Sequence, residues 1–255
     1  MIQGKILHEQ IAVSYTNNYT NRPTIIFLHD SLGCIQLWRD FPTKLGELTK
    51  CNVFIYDRHG YGQSGSFIKP IREKNYLEIE ADILFKIIEE FELKNSILFG
   101  HSDGGSIALI AAAKYSTKIK AIITEGAHIF VEKEAINGIQ RAIDEYQSSS
   151  FKSRLEKYHG GKTDAMFKAW TETWTSNEFR SWNIESFLPF INCPSLIIQG
   201  EKDEFGTISH VDRIVDLIGG NASKLIIDGF GHTTHKEVPD IVLRKVAEFI
   251  NSIVG

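Results

Sequence analysis

A serine between two glycines is the first feature of this sequence that could perform chemistry. Residues 100–104 read Gly-His-Ser-Asp-Gly, after an apolar run of strand length at 96–99 and before an Ala-rich helical stretch at 106–115. A serine on such a strand-to-helix turn stands clear of the sheet edge. Glycine is needed on both sides because a Cβ atom there would collide with a neighbouring strand or helix. The pattern therefore predicts that Ser102 is a nucleophile.

A serine hydroxyl is a useful nucleophile only when a base removes its proton and an acid holds that base in the correct tautomer. Asp203 ends a Gly-Glu-Lys-Asp turn that follows the apolar run 195–199. His232 lies in a loop that follows the run 224–227. We therefore predict a catalytic triad of Ser102, His232 and Asp203.

Other residues could take the place of the acid or the base. They are Glu125, Glu201, Glu204 and His235. Glu125 belongs to this set because it directly follows the apolar run 121–124. His232 is preferred over the neighbouring histidine because the preceding Gly231 permits the close approach that a base needs.

The negative charge that forms on the substrate oxygen needs two N–H donors aimed at one point. One is predicted to be the backbone N–H of Asp103, directly after the nucleophile and at the positive end of the following helix. The other belongs to the loop after the run 24–28. We assign it to the backbone of Ser31, with Asp30 and Leu32 as alternatives.

Several side chains are candidates for binding the substrate. The Asp103 carboxylate could hold a cationic group, with help from Asp30 and Glu125 if they face the same pocket; alternatively, Asp103 only stabilises the helix dipole. A carboxylate beside the oxyanion costs about 1 kcal/mol or more at an effective dielectric constant of about 20, a cost that a substrate cation would offset. Trp170 and Trp174 are candidates to line the pocket, with packing in the core of the predicted lid as the alternative.

Apolar runs rich in Ile, Val and Phe alternate with longer helix-like segments. The runs are residues 24–28, 52–56, 96–99, 121–124, 195–199 and 224–227. Such short runs without polar alternation are typical of strands covered on both faces, so we predict an α/β fold with a mostly parallel central sheet and helices on both faces. Helical periodicity predicts helices over 76–91 and 241–253, and weak alternation over 5–15 predicts an antiparallel hairpin at the sheet edge.

The alternation of strands and helices stops between residues 130 and 188. No strand-like run occurs there, and clusters of Ser and Gly divide the segment into three or four short helices. These helices have too few apolar positions for a core of their own. We therefore predict a helical lid over residues 130–188, inserted between a first part of the core, 1–129, and a second part, 189–255.

Composition restricts the class of partner. The chain has 255 residues, of which 42% are hydrophobic and 24% charged, and a net charge of −4. This fits one large folded domain and argues against a general surface for nucleic acid or anionic membranes. The N-terminus lacks a signal-peptide pattern, so a cytoplasmic location is expected. The 3 widely spaced cysteines fit neither a disulfide framework nor a zinc site, and the predicted chemistry needs no metal or cofactor.

Together these motifs resemble the α/β-hydrolase superfamily. The order of Ser102, Asp203 and His232 along the chain matches that superfamily, as do segments 24–31 and 57–64. Within it, segments 100–115 and 193–203 are similar to the biphenyl hydrolase-like group. The resemblance implies an α/β-hydrolase fold and hydrolysis of α-amino acid esters, with Asp103 holding the substrate ammonium group. Asp30 stands where that loop usually has glycine, which predicts a different loop shape.

The sequence thus predicts a serine hydrolase that cleaves a small carboxylic ester through an acyl-enzyme, with a small molecule as its partner. The alternatives are a C–C bond or lactone hydrolase with the same triad, and a non-catalytic ligand receptor on a hydrolase scaffold. The sequence determines neither the substrate nor the oligomeric state.

Overall fold

A mixed sheet lies at the centre of the molecule. A computed structural model describes residues 2–6, 9–67 and 72–255, with the backbone alone for residues 2–6 and 9. The strands are β1 (Ile2–Ile6), β2 (Glu9–Thr16), β3 (Thr24–Leu28), β4 (Asn52–Tyr56), β5 (Ser96–His101), β6 (Ile119–Glu125), β7 (Ser195–Gly200) and β8 (Ala222–Ile227). Within the described ranges these 8 strands form one sheet in the order β1-β2-β4-β3-β5-β6-β7-β8. β2 runs antiparallel to β1 and to β4, and the other pairs are parallel.

The predicted α/β class with a mostly parallel sheet is confirmed, and each predicted apolar run is a strand. β3 and β4 have the predicted bounds and are buried along their whole length, as expected for strands covered on both faces. β5 to β8 extend beyond the predicted runs by a few residues at one or both ends. The predicted edge hairpin corresponds to β1 and β2. Residues 7 and 8, between these strands, lie outside the described residues.

Helices cover both faces of the sheet. They are α1 (Phe41–Thr49), α2 (Tyr76–Glu90), α3 (Asp103–Lys114), α4 (Lys133–Ser148), α5 (Phe151–His159), α6 (Thr163–Thr175), α7 (Ser209–Ile218), α8 (Thr234–Glu237) and α9 (Pro239–Val254). Ile25 and Phe27 of β3 pack in one core cluster with α1 and α9. Ile26 and Leu28 pack on the opposite face with α2, α3 and α7, because alternate strand residues point to opposite faces. The predicted helices over 76–91 and 241–253 correspond to α2 and α9.

A bilayer crossing would need a longer and more apolar helix than any found in the described ranges.

A helical segment joins β6 to β7, and we call residues 130–188 of it the cap segment. It contains α4, α5, α6 and short 3-10 helices at Gly160–Lys162 and Phe179–Ser181, with a third, Glu185–Phe190, at its end. A β-bridge between Phe130 and Asn183 closes its base. Its buried side chains belong to the same core cluster as α2 and α3, which agrees with the expectation that it has no core of its own. The division into 1–129, 130–188 and 189–255 stays a prediction.

Helix α3 begins in direct contact with the sheet. A Cβ atom at Gly104 would lie 2.0 Å from the carbonyl oxygen of Leu28 in β3, and one at Gly100 would lie 2.1 Å from the carbonyl oxygen of Gly104. Both distances are far inside van der Waals contact, so glycine is required at each position. The expected reason for glycine on both sides of Ser102 is therefore confirmed.

Substitution Gly104→Ala is expected to lower the free energy of unfolding by about 3 kcal/mol, the upper end of overpacking costs, because backbone atoms of β3 and α3 must separate. Gly161→Ala is the matched control, since nothing lies within 4 Å of a Cβ atom there, and its effect should stay within about 0.5–1 kcal/mol. Urea denaturation of the two variants measures both values. Equal stability of the two would contradict the close approach of α3 to β3.

Candidate active site

Ser102 occupies the sharp turn between β5 and α3. Its backbone angles are φ 55° and ψ −118°, a region that residues with a Cβ atom rarely adopt and that costs about 1–3 kcal/mol. Hydrogen bonds hold the turn: the Ser102 N–H donates to the carbonyl of Glu125 at 2.8 Å, and the Ser102 carbonyl accepts from the N–H groups of Gly105 and Ser106 at 2.8 and 3.1 Å. The hydroxyl is thereby placed at the N-terminus of α3, as predicted.

His232 and Asp203 form an ion pair on the loops that follow β8 and β7. Nδ1 of His232 lies 2.9 and 2.8 Å from the two carboxylate oxygens of Asp203. The Phe205 N–H donates to the same carboxylate at 2.9 Å. Because Nδ1 carries the proton shared with Asp203, Nε2 is the ring atom left to accept a proton from a nucleophile.

The ion pair shifts the pKa values of both His232 and Asp203. Burial lowers the pKa of His232, but the charge and hydrogen bond of Asp203, with the nearby carboxylates of Glu204 and Asp30, outweigh burial and raise that pKa to about 9. Burial raises the pKa of Asp203, but the charge and hydrogen bond of His232 outweigh it and lower that pKa to about 2. The site thus stabilises a protonated His232 beside an ionised Asp203.

Close packing against Gly126 and two hydrogen bonds to its own backbone restrict the position of His232. A Cβ atom at Gly126 would lie 2.8 Å from Cε1 of that ring, so glycine is needed directly after β6. Nε2 of His101 lies 3.0 Å from the His232 carbonyl, and the His232 N–H donates to the Glu204 carboxylate at 3.2 Å. Sequence reasoning missed Gly126, although its place after a strand at the carboxyl edge of the sheet was a usable signal.

A cavity of about 550 Å³ lies between the carboxyl edge of the sheet and the cap segment. Most of the predicted site residues line it: Asp30, Ser31, Ser102, Asp103, Trp170, Trp174 and His232. Asp203 lies behind the His232 ring and is almost fully buried. Ser102 and the imidazole of the ion pair therefore open into the same space, walled on the far side by α4, α5 and α6.

The loop after β3 is shaped by Asp30. Its carboxylate accepts the Leu32 N–H at 2.7 Å, and its carbonyl accepts the Gly33 N–H at 3.2 Å. The first of these bonds occupies the Leu32 N–H, one of the alternatives for the oxyanion donor. Ser31 stays the predicted donor beside Asp103. Asp30, which stands where the family usually has glycine, thus forms an Asx turn within the loop.

Glu125 does not face the cavity, so its predicted role in substrate binding is wrong. Its carboxylate accepts hydrogen bonds from the Thr234 hydroxyl at 2.6 Å and from the N–H and Nδ1 of His235 at 2.7 and 2.6 Å. Burial raises the pKa of Glu125, but the charge and hydrogen bond of His235 outweigh it and hold that pKa well below its usual range. Glu125, one of the alternative acids, is therefore paired with His235, the alternative base, and neither residue lines the cavity.

The Asp103 carboxylate is also paired inside the protein, which corrects its predicted role as the group that meets a substrate cation. It lies 3.5 Å from the guanidinium of Arg58 and 4.0 Å from that of Arg72, and it accepts the Tyr76 hydroxyl at 3.0 Å. Its side chain is 1% exposed. The charge that a substrate cation was expected to offset is thus offset by two arginines, neither of which the sequence analysis identified.

Comparison with known proteins identifies the family. The sequence profile of the α/β hydrolase fold family matches residues 23–183. Serine hydrolase BPHL of Mus musculus is 31% identical over 83% of this chain and 74% of that protein, and serine hydrolase BPHL of Homo sapiens is 30% identical over 97% and 86%. The fold resembles that of MGS-M2, an α/β hydrolase enzyme from a Medee basin deep-sea metagenome library, with a TM-score of 0.80 at 19% identity over 97% of this chain and 96% of that one.

A histidine base accepts a proton only when its ring is neutral, so the predicted triad requires activity to rise with pH. We expect kcat/KM for an aryl ester to increase through an apparent pKa above 6.5 and toward about 9. Asp203→Asn removes the main group that raises this pKa, so the midpoint should move to lower pH and kcat should fall by about 10³- to 10⁴-fold. A pH–rate series measures both effects.

Glu201→Gln is the control for that series. The Glu201 carboxylate accepts the Gly229 N–H at 2.9 Å on the same turn as Asp203, and the midpoint should stay where it is in the wild-type protein. A wild-type midpoint at or below 6.5 would show that the ion pair does not act on His232 as described.

Proposed function

The chain belongs to the α/β hydrolase fold family, in the group that contains serine hydrolase BPHL, and on that premise we propose that it cleaves a small carboxylic ester through an acyl-enzyme. One observation carries the proposal: Ser102 and the His232 ring, which is paired with Asp203, line the same cavity. A hydroxyl nucleophile, a general base and an acid that holds the base in one tautomer are the groups that acyl transfer requires.

The proposed reaction has two halves. In the first, Nε2 of His232 takes the hydroxyl proton as the Ser102 oxygen attacks the ester carbonyl, and the backbone N–H groups of Ser31 and Asp103 stabilise the oxyanion. The protonated His232 then gives its proton to the leaving alcohol. In the second half, water attacks the acyl-enzyme with the same groups in the same roles. Asp203 stays ionised throughout and stabilises the imidazolium.

The size of the cavity supports a small substrate. A volume of about 550 Å³ is within the range of about 300–1,000 Å³ that is typical of small-molecule sites. Nucleic acid and membranes are not part of the proposal, since the net charge of −4 gives no general attraction for them.

A fluorophosphonate probe tests the proposal directly, because it reacts covalently with an activated serine. We expect labelling of the wild-type protein and none of Ser102→Ala. Ser106→Ala is the matched control: its hydroxyl lies one turn further along α3 and donates to the His128 carbonyl at 2.6 Å, so labelling should persist. A folded wild-type protein that resists the probe would favour the ligand-receptor alternative.

We further propose that the acid part of the substrate carries an α-amino group, as resemblance to the biphenyl hydrolase-like group implies, and that Asp30 receives it. The Asp30 side chain lines the cavity beside Ser31 and is 21% exposed, whereas that of Asp103 is 1% exposed. Burial raises the pKa of Asp30, but its hydrogen bond with His101 and the charge of Lys236 outweigh burial and hold that pKa well below its usual range. Asp30 is thus an ionised carboxylate within reach of a bound substrate.

The proposal for Asp30 is tested with an α-amino acid ester and its des-amino analogue. The wild-type protein should prefer the amine, and Asp30→Asn should reduce the ratio of the two kcat/KM values by about tenfold, which corresponds to about 1.4 kcal/mol. Asp103→Asn serves as the comparison and should leave that ratio unchanged, whatever its effect on the rates themselves. Loss of the preference in Asp103→Asn but not in Asp30→Asn would reverse the assignment.

A further inference from the structure

The peptide group between Asp30 and Ser31 is held by two buried side chains. Its carbonyl accepts a hydrogen bond from Nη2 of Arg58 at 2.9 Å and from Nδ1 of His29 at 2.8 Å. In a trans peptide the N–H points opposite to the carbonyl, and the chain has no cis peptide bond in the described ranges. The bonds to the carbonyl therefore set the direction of the Ser31 N–H, the predicted oxyanion donor.

Arg58 also contacts the residue that carries the second predicted donor. Nη1 and Nη2 of Arg58 both lie 3.5 Å from one carboxylate oxygen of Asp103. Asp103 is the first residue of α3, so its side chain ties the first turn of that helix to the guanidinium. One planar group thus connects the peptide that bears the Ser31 N–H to the residue that bears the Asp103 N–H.

Arg58 is itself fixed in place. Its side chain is 1% exposed, its guanidinium lies over the Tyr61 ring at 4.7 Å from the ring centre, and its backbone N–H donates to Nε2 of His29 at 3.1 Å. Since that ring nitrogen accepts, the His29 proton must reside on Nδ1, which therefore donates to the Asp30 carbonyl. Burial and the charge of Arg58 lower the pKa of His29 well below its usual value, so the ring stays neutral.

We infer that Arg58 is a positioning residue for the oxyanion hole, and that its guanidinium sets the separation and direction of both backbone donors. The inference rests on the proposed function, because it needs an oxyanion to form between Ser31 and Asp103. Arg58 has no contact with the substrate in this role: it acts through the Asp30 carbonyl and the Asp103 carboxylate. A correctly placed donor is worth about 10²- to 10³-fold in kcat, so a small displacement of two donors should be measurable.

Arg72 provides a matched control. Its side chain is buried to a similar degree, its Nη1 lies 4.0 Å from the Asp103 carboxylate, and its Nη2 donates to the Tyr61 hydroxyl. It supplies the same charge near the oxyanion, but among the described residues its guanidinium donates to the Tyr61 hydroxyl and not to the Asp30 carbonyl. Both arginines therefore place a positive charge near Asp103, but in the described part of the chain only Arg58 also holds the Asp30 carbonyl.

The experiment compares Arg58→Lys with Arg72→Lys, using an aryl acetate and an arylboronic acid as a mimic of the tetrahedral intermediate. Both variants keep the positive charge, and lysine lacks the planar fork that Arg58 uses. We expect Arg58→Lys to lower kcat and boronic acid affinity at least tenfold, with KM within about threefold, and Arg72→Lys to change each by less than about threefold. Equal losses in the two variants, or a loss in KM alone, would overturn the role of Arg58.

Two further measurements separate the possible failures. Should Arg58→Lys not fold, His29→Leu and His29→Gln pose the same question at the other side-chain donor to the Asp30 carbonyl. His29→Leu should lower kcat, and His29→Gln, which keeps a donor and an acceptor, should lower it less. Full activity in His29→Leu would then contradict the inference. Fluorophosphonate labelling of the wild-type protein tests the proposed function separately. Absence of labelling overturns the proposed function and the role of Arg58 together. Labelling of the wild-type protein, with equal kcat values in Arg58→Lys and Arg72→Lys, overturns only the role of Arg58.

Discussion

The site depends on one constraint, which is that a residue with a left-handed backbone must be held where β5 ends and α3 begins. The φ angle of 55° at Ser102 is unfavourable for a residue with a side chain. It is maintained by backbone hydrogen bonds to β6 and to the first turn of α3, and these can form only if α3 starts against the sheet. The absence of a side chain at Gly104 permits this approach to Leu28. The turn that presents Ser102 and the contact of α3 with the sheet therefore depend on the same local packing.

Three buried carboxylates follow or end neighbouring strands, and each has its own positively charged or imidazole partner. Asp103 pairs with Arg58, Glu125 with His235, and Asp203 with His232. Burying an unpaired carboxylate costs several kcal/mol, so these pairings constrain how the loops after the strands fold. Of the three partners, within the part of the chain that the structure describes, His232 is the one that lines the cavity. The pairings thus leave one of the three carboxylates, that of Asp203, beside a partner that faces the cavity.

The sequence predicted the features that local patterns encode and missed those that depend on distant partners. Strands were identified because burial on both faces leaves a continuous apolar run, and the placement of Ser102 followed from a motif between a strand and a helix. The burial and pairing of the Asp103 and Glu125 carboxylates could not be predicted from local patterns. Asp103 and Arg58 are 45 residues apart in sequence, and Glu125 and His235 are 110 residues apart. The periodicity of apolar residues carries no information on such a pairing. The sequence also cannot show that an acid at the start of a helix points into the core.

The cap segment contacts the loop after β3 and also forms part of the cavity wall. His159, at the end of α5, accepts the Gly62 N–H on Nδ1 at 3.0 Å, so its proton resides on Nε2, which donates to the Leu32 carbonyl at 3.1 Å. Lys162 in the following turn donates to the Gly62 carbonyl at 2.8 Å. The Leu32 carbonyl belongs to the loop that carries the Ser31 N–H, so that loop is held from the core by Arg58 and from above by the cap segment. Removal of this part of the cap segment would free one side of that loop. The position of the Ser31 N–H, the predicted oxyanion donor, therefore depends on a contact between His159 and Leu32, which are 127 positions apart in the chain.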